Sequence, residues 1–367
     1  MCGNWQRCTA SMPEMKPSAG LYSISKEAAR SAASGARGAI HPSFSPPSRR
    51  EAVAVANEKR ETSMIMPARI IAATDLSAPS HHAVDRGFRI AADTGARYSV
   101  IHAIELSALD ELSEFLGDGT SELKQRLADQ ARATLWDMLG NPARNCGVGA
   151  EASVFVGEAL EAIASVADGF DADLLVLGAR GESFLRHALL GSTASRLLRK
   201  SIRRPVLVVK QPAHDRYRRL LISVDFSPVS AHAIRFGRAL APEADVVLLH
   251  AFELPYEGKL SFAGVDDKVI QQYVRTAGDE RRRRLHALAA SAGLAPADYS
   301  ALVVHGIPSQ QVIVQEQERD IDLIIMGKHG KHLAEEMLLG SVTKHVLAES
   351  QCDVLVVPGG RPAPDEY

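Results

Sequence analysis

The sequence predicts two α/β domains in tandem, each a doubly wound, Rossmann-like fold with a parallel five-stranded sheet and helices on both faces. Three observations predict this class. The chain repeats itself at a separation of about 150 residues. Short apolar runs alternate with amphipathic segments along each repeat. The apolar runs are continuous rather than alternating, which is typical of parallel strands buried on both faces.

The repeat is visible at every predicted strand. Its two members are called the first repeat, residues 66–211, and the second repeat, residues 216–358, and a short polar linker joins them at residues 211–218. The paired segments are RIIAATDLS (69–77) with RLLISVDFS (219–227), VIHAIEL (100–106) with LLHAFEL (248–254), ASVFVG (152–157) with ALVVHG (301–306), DLLVLG (173–178) with DLIIMG (322–327), and PVLVV (205–209) with DVLVV (353–357).

Amphipathic segments between these strands predict the helices. In the first repeat they are Ser80 to Asp93, Leu123 to Leu139, Glu158 to Asp168 and Ala194 to Ser201. Right-handed crossovers through these helices keep the strands parallel. The fifth strands, Val206 to Val209 and Val354 to Val357, are expected at sheet edges, where the two repeats pair.

Residues 1–65 are predicted to lie outside both domains. They are rich in Ser, Ala, Pro and Gly and lack a sustained strand or helix period. Either they form a disordered tail, or the start codon is assigned too far upstream, since Met64 and Met66 directly precede the first strand. A transit peptide is a less favoured alternative, suggested by the basic bias of the first fifty residues.

Composition limits the classes of function. The chain is 46% hydrophobic and 23% charged, with a formal net charge of -2, so it lacks the basic field that general nucleic-acid binding requires. No apolar run is long enough to span a bilayer. The four cysteines show neither metal-type spacing nor a disulfide framework. These features favour a cytoplasmic protein with neither nucleic-acid nor membrane partners.

A glycine pattern follows the fourth strand of each repeat. The segments GARGESFLRHALLGSTASRLL (178–198) and MGKHGKHLAEEMLLGSVTKHV (326–346) both contain Gly, two residues, Gly, nine residues, Gly and Ser. The first strands end in Asp75 and Asp225. In a doubly wound sheet the first and fourth strands meet where strand order reverses, so each carboxylate should face a glycine turn.

That arrangement suits a nucleotide. The glycines let the backbone turn sharply and approach a ligand, because no Cβ intervenes. Gly191 and Gly340 each precede a serine and open a helix, whose free amide groups, dipole and hydroxyl favour an anion. A phosphate at the helix end and a ribose hydroxyl on the aspartate together describe a nucleotide.

These residues resemble the universal stress protein family, and the resemblance covers both repeats. It implies an adenine-nucleotide-binding fold in which the aspartate contacts the ribose, the residue after the second-strand histidine lies near adenine, and the glycine segment holds the phosphates of ATP. Carried over by position, the site residues of the first repeat are Asp75, Ala103, Gly178, Gly181, Gly191, Ser192 and Thr193. Those of the second repeat are Asp225, Ala251, Met326, Gly327, His329, Gly330, Gly340, Ser341, Val342 and Thr343.

The chain departs from the family pattern at a few positions. Alanine stands at the adenine-side position of both repeats, where the family usually has valine. Arg180 replaces the residue that is His329 in the second repeat, and Asp353 replaces the proline that commonly begins the fifth strand. The second repeat is the closer match to ATP-holding members and is expected to bind more tightly.

Structural alternatives exist for each feature. The glycines can form tight turns without a ligand, and the aspartates and serines can cap the helices that follow. His102 and His250 are expected to be hydrogen-bonded structural residues. The run of four arginines at 281–284 is expected to be a solvated helix face. Histidines near the second glycine segment lack the carboxylates or cysteines of a metal site, so no metal site is predicted.

The sequence therefore predicts a nucleotide-binding stress-response protein that is not an enzyme. Each site has one carboxylate and no second acid, which does little to activate water for phosphoryl transfer. The expected ligand is ATP, or AMP or ADP, alone or with Mg²⁺. The two repeats are expected to pair within the chain, with dimerisation of whole chains as a further expectation. The alternatives are a nucleotide-independent interaction module of the same fold and a slow ATP hydrolase.

Overall fold

The computed structural model describes residues 66–105, 119–179, 190–200, 204–255, 257–330 and 339–359. The expectations for residues 1–65, and for Arg180 and Gly181 in the first glycine segment, lie outside the described residues.

Strands and helices alternate through both repeats as predicted. The first repeat contains β1 (Arg69–Thr74), α1 (Ala78–Thr94), β2 (Arg97–Ile104), α2 (Gly119–Leu139), β3 (Ala150–Val156), α3 (Ala159–Gly169), β4 (Leu174–Gly178), α4 (Ser192–Arg199) and β5 (Val206–Val209). The second contains β6 (Arg219–Ser223), α5 (Pro228–Leu240), β7 (Asp245–Phe252), α6 (Glu257–Phe262), α7 (Asp267–Ser291), a 3₁₀ turn (Pro296–Asp298), β8 (Tyr299–His305), α8 (Pro308–Glu318), β9 (Leu323–Gly327), α9 (Ser341–Glu349) and β10 (Asp353–Val357).

Local sequence sets the ends of the helix that follows the first strand. Ser77 is the N-cap of α1, and its side chain accepts a hydrogen bond from the Ser80 amide at 3.4 Å. Pro79 fits the first turn because its missing N–H would have no helical partner there. Gly95 ends the helix with φ of 69°, a left-handed conformation that glycine adopts at little cost. The helix therefore starts two residues earlier than the amphipathic pattern alone predicts.

The ten strands within the described ranges form one continuous sheet in the order β3-β2-β1-β4-β5-β10-β9-β6-β7-β8. Within each repeat every pairing is parallel, and β1 lies between β2 and β4 as β6 lies between β7 and β9. The two repeats join through an antiparallel pairing of β5 with β10, with Leu207 opposite Leu355. The predicted pairing of the fifth strands is present, and it fuses the two predicted sheets into one.

The core consists of two apolar layers, one on each face of the sheet. Along β1, Ile70 and Ala72 belong to one layer and Ile71 to the other, all with no exposed surface. Such strands must be apolar on both sides, which explains their continuous hydrophobic runs. Leu135 of α2 and Leu285 of α7 fill equivalent buried places in the first layer. None of the helices that the structure describes is long and apolar enough to cross a bilayer.

Candidate functional site

The sheet reversal of the second repeat brings Asp225 against Gly330. Asp225 follows β6, whose last residue, Ser223, lies opposite Met326 of β9. A Cβ atom added to Gly330 would lie 3.2 Å from Oδ2 of Asp225. The carboxylate and the glycine turn therefore face each other directly, as the sequence predicts, and glycine is the residue that leaves this approach open.

Hydrogen bonds to the following helix fix the orientation of Asp225. Its Oδ1 atom accepts from the amide of Ser227 at 3.0 Å and from the hydroxyl of Ser230 at 2.8 Å. Phe226, which lies between Asp225 and Ser227, has φ of 62°, a left-handed conformation that a bulky residue adopts only at a cost. The bonds to Asp225 help to hold this turn, so the carboxylate supports the start of α5 while Ser227 occupies the N-cap position.

The first repeat has the same turn. Leu76 has φ of 64°, and Asp75 accepts from the amide of Ser77 at 3.1 Å. In both repeats, therefore, the aspartate is not itself the helix cap but is hydrogen bonded to the residue that is. The strained residue that follows each aspartate was not predicted from the sequence.

The glycines that open the helices have backbone angles that do not require glycine. Gly340 has φ of -57° and Gly191 has φ of -60°, values that any residue adopts. A Cβ atom on Gly340 would lie 3.4 Å from the carbonyl oxygen of Lys328. The Gly340 amide donates to that same oxygen at 3.0 Å, and the Gly191 amide donates to Ala179 at 2.7 Å. The prediction that Gly191 and Gly340 each open a helix is confirmed.

The start of α9 offers an anion site beside the crevice. The amide of Gly340 donates to the carbonyl oxygen of Lys328, directly after β9. The amides of the first helical turn, Ser341 to Thr343, have no acceptor within the helix. Ser341 is exposed, as is Ser192 at the start of α4. The positive end of the helix dipole adds to the attraction of these groups for an anion.

Thr343 plays a different part from the one predicted. It is only 3% exposed, and its hydroxyl donates to the carbonyl oxygen of Gly327 at 2.9 Å. This bond ties α9 to the end of β9, so the hydroxyl proton is directed at the strand and not at the crevice. The corresponding residue of the first repeat is Ala194, which is also buried but forms no such tie.

The histidines are structural, as expected. A ring nitrogen of His250, Nδ1, lies 2.8 Å from the carbonyl oxygen of Val224, and Nδ1 of His102 lies 2.9 Å from that of Thr74. Because a carbonyl can only accept, each Nδ1 carries the proton. Burial lowers the pKa of His250, and the nearby positive charges of two arginines add to this effect.

The other predicted site residues divide into two groups. Ala103 and Ala251 follow the histidines near the carboxyl ends of β2 and β7 and are half-buried, and His329 and Val342 are also half-buried. Met326 is only 3% exposed and packs in the core layer below the crevice. The Met326 side chain therefore supports the floor of the site and is not presented to it.

Two arginines of α7 extend the site region of the second repeat. The guanidinium of Arg284 lies 4.4 Å from the ring centre of Phe226, and that of Arg281 lies 4.3 Å from the ring centre of Phe252. His250 lies between the two phenylalanines, with 4.2 Å between its ring centre and that of Phe226. The arginines at 282–284 are exposed, as expected for a solvated face, and the stacking of Arg281 and Arg284 on aromatic rings is an additional contact that was not predicted.

The signal for this contact was present in the sequence. The two arginines have the i, i+3 spacing that places them on one helix face, and each phenylalanine directly follows a predicted site residue. In the first repeat, Leu76 and Ile104 replace the phenylalanines. Across the described ranges, no cluster of three or more His, Cys, Asp or Glu residues is arranged to hold a metal ion.

The chain contains two doubly wound α/β domains, and in the second a carboxylate lies opposite a glycine turn beside a helix N-terminus. The sequence profile described as "Universal stress protein family" matches residues 66–210 and 216–358. The chain belongs to the universal stress protein family and carries two of its domains in tandem.

Several named relatives show the same affiliation. The chain is 29% identical over 201 residues to universal stress protein Rv2005c of Mycobacterium tuberculosis, an alignment that covers 51% of this chain and 62% of that relative. It is 28% identical over 153 residues to universal stress protein MJ0577 of Methanocaldococcus jannaschii, covering 38% of this chain and 94% of that protein. The alignment with the mycobacterial relative thus spans less than two thirds of its length.

Among solved structures, a universal stress protein from Archaeoglobus fulgidus superimposes with a TM-score of 0.51. The match covers 79% of this chain and 98% of that chain, at 19% sequence identity. At this identity the likeness establishes the tandem α/β fold and nothing about ligands.

Proposed function

We propose that each repeat binds an adenine nucleotide at the sheet reversal, as ATP or as AMP or ADP, and that occupancy of these sites regulates a stress response. The observation that carries the proposal is the 3.2 Å approach between Oδ2 of Asp225 and the Cβ position of Gly330. A carboxylate at that place accepts hydrogen bonds from ribose hydroxyls, and the adjacent start of α9 receives the phosphates.

We assign each residue a part of the nucleotide according to its position along the crevice. In the second repeat Asp225 contacts the ribose, Ala251 lies near the base, and the backbone of Gly327 and Gly330 together with Ser341 contacts the phosphates. In the first repeat the equivalent residues are Asp75, Ala103, Gly178, Gly181, Gly191, Ser192 and Thr193. Mg²⁺, where present, would accompany the phosphates and need not be held by the protein, as is common for this ion.

Regulation rather than catalysis is proposed from the inventory of groups. Within the described residues each crevice contributes one carboxylate, Asp75 or Asp225, and that carboxylate already accepts hydrogen bonds from the helix turn. Fast phosphoryl transfer needs a positioned nucleophile and neutralisation of charge on the transferred group. Slow hydrolysis is compatible with these residues, but the proposed output depends on which nucleotide is bound.

Mass spectrometry of the purified protein tests the proposal. Gentle denaturation should release an adenine nucleotide, and the amount released should fall sharply in a Gly330→Val, Gly191→Trp variant that retains its fold by circular dichroism. A folded protein that releases no nucleotide, and takes none up from added ATP, AMP or ADP, would instead support the nucleotide-independent interaction module.

A further inference from the structure

The strands that join the two repeats are identical in sequence. Both β5 and the last four residues of β10 read Val-Leu-Val-Val, and they pair antiparallel with Leu207 opposite Leu355. Identical edges can pair with themselves as readily as with each other, within one chain or between chains. The strands alone therefore cannot select the observed pairing of unlike repeats.

A buried aspartate at this junction draws most of its partners from outside its own repeat; Tyr217 is the exception. Asp353, the first residue of β10, has no exposed surface. Its Oδ1 atom accepts from the amides of Lys210 and Gln211 at 2.7 and 3.1 Å. Its Oδ2 atom accepts from the hydroxyl of Tyr217 at 2.7 Å and lies 3.3 Å from Nε of Arg86.

The arginine is held as firmly as the aspartate. Arg86 belongs to α1 of the first repeat, and its side chain is only 7% exposed. It donates to the carbonyl oxygen of Asp215 at 2.7 Å, and its guanidinium lies 4.2 Å from the ring centre of Tyr217. Burial, reinforced by the charge of Asp353, raises the pKa of Tyr217, so this phenol keeps the proton it donates. We call Arg86, Tyr217 and Asp353 the junction cluster.

The internal repeat reveals what other pairings would lack. Aligning Gly87 of α1 with Gly237 of α5 makes Phe236 the counterpart of Arg86. Aligning the fifth strands makes Pro205 the counterpart of Asp353 and Pro358 the counterpart of Lys210. Every counterpart is uncharged, and proline has no amide hydrogen to donate.

Each like-with-like pairing would therefore bury an unpaired charge. Between the second repeats of two chains, Asp353 would face Phe236 and Pro358, which supply neither a positive charge nor an amide donor. It would keep its bond from Tyr217 and could gain only the amide of Gly359, the counterpart of Gln211, so its negative charge would stay unpaired. Between two first repeats, Arg86 would face Pro205 and find no carboxylate. Removing one partner of a buried ion pair is strongly destabilising because the other charge stays desolvated.

We propose that the junction cluster makes the fifth-strand edge selective for the unlike repeat, so that each chain closes on itself and pairing between like repeats of different chains is disfavoured. Lys210 adds to this preference. Its ammonium donates to Leu347 and Ser350 carbonyl oxygens at 2.9 and 2.6 Å, at the negative end of α9. Pro358 has no group that performs this role in the opposite direction.

A charge-free junction tests the proposal in the full chain. The double variant Arg86→Phe, Asp353→Pro gives each repeat its counterpart's residue and removes both charges together. Each single variant leaves one buried charge unpaired and should unfold at lower urea concentration than the double variant. After refolding at increasing protein concentration, light scattering should detect an interchain fraction more than about tenfold higher for the double variant than for the wild type.

A cysteine substitution identifies the edge that pairs. In a background with Cys2, Cys8, Cys146 and Cys352 changed to alanine, Leu355→Cys faces Leu207 when the chain closes on itself. Two such positions meet only when β10 pairs with β10, so an interchain disulfide formed with oxidised glutathione reports pairing of like repeats. The disulfide should form in the double variant and not in the wild-type background.

Two results would overturn the proposal. One is a double variant that refolds to the same species as the wild type at every concentration, without the interchain disulfide. The other is equal disulfide formation in both backgrounds. If the double variant fails to refold, Arg86→Leu with Asp353→Asn, which preserves side-chain volume more closely, replaces it and is judged by the same criteria.

Discussion

At the scale of single residues, the second-repeat crevice depends on a glycine that faces a carboxylate. Gly330 has no left-handed φ, so its value lies in the missing Cβ, whose place would be 3.2 Å from Asp225. The aspartate cannot easily move away, because its other oxygen accepts from Ser227 and Ser230. Substitution here should therefore damage ligand access more than it damages the fold.

Replacing Gly330 with valine tests this expectation. The branched side chain would occupy the approach to Asp225, so affinity of the second site for ATP should fall by at least about 100-fold, while the free energy of unfolding changes by less than about 1 kcal/mol. Titration calorimetry and urea unfolding measure the two quantities. Gly278→Ala, in the middle of α7, is the matched control, since its Cβ would meet nothing closer than 3.9 Å. Equal loss of affinity in both variants would contradict the assignment.

At the scale of elements, the attachment of α9 to β9 distinguishes the two repeats. Thr343 donates to Gly327, whereas the first repeat has Ala194 at this place. Thr343→Val keeps the buried volume and removes the bond, so it should lower the free energy of unfolding by about 1 kcal/mol. Thr193→Val, a half-buried threonine one position earlier in the first repeat, should change it by less than about 0.5 kcal/mol. Urea unfolding that gives equal losses would refute the role of this bond.

His250, near the end of β7, should make the free energy of unfolding depend on pH. Burial lowers the pKa of His250 from its ordinary value of 6.5. The unfolded chain therefore binds a proton at this residue more readily than the folded chain once the pH falls below about 6.5. The free energy of unfolding should be constant from this source above that pH and should decline below it.

Urea unfolding between pH 7.5 and pH 5.5 measures the decline. His250→Asn retains a donor for the Val224 carbonyl but does not titrate, so it should reduce the decline across this range, while His81 and His232, whose pKa values are also lowered by burial, contribute the remainder. His345→Asn, an exposed residue of α9, is the control and should leave the slope unchanged. A wild-type slope that survives undiminished in His250→Asn would show that other groups cause it.

The elements that sequence could predict are those specified by local pattern. Continuous apolar runs identified the strands, and the repeated Gly and Asp positions predicted the approach of Gly330 to Asp225. The role of Thr343 was missed because the sequence does not show whether its hydroxyl faces a phosphate or a backbone carbonyl. Stacking of Arg281 and Arg284 and the partners of Asp353 depend on residues distant in the chain, which no local period reveals.

At the scale of the whole molecule, the two proposed sites have the same predicted arrangement but differ in the residues around them. The second has Phe226 with the stacked Arg284, and Thr343 fixes its helix to the strand. The first has Leu76 and Ala194 at the equivalent places. A more firmly organised site loses less entropy on binding, so the second site should bind ATP more tightly.

Disabling one site at a time tests the inequality. Gly191→Trp should block the first site and Gly340→Trp the second, because a large side chain would fill the start of the helix. The protein with Gly191→Trp, which retains the second site, should bind ATP more tightly, by about threefold or more. Equal affinities, or the reverse order, would show that these differences between the repeats do not make the second site bind ATP more tightly.

The most direct test of the account is calorimetric titration of the nucleotide-free full chain with ATP. Binding of an adenine nucleotide in both repeats predicts a stoichiometry that approaches two per chain in the wild type. It predicts one per chain in either tryptophan variant and none in the variant that carries both. A folded chain that binds no ATP, or a doubly substituted chain that binds as the wild type does, would contradict the assignment of these crevices.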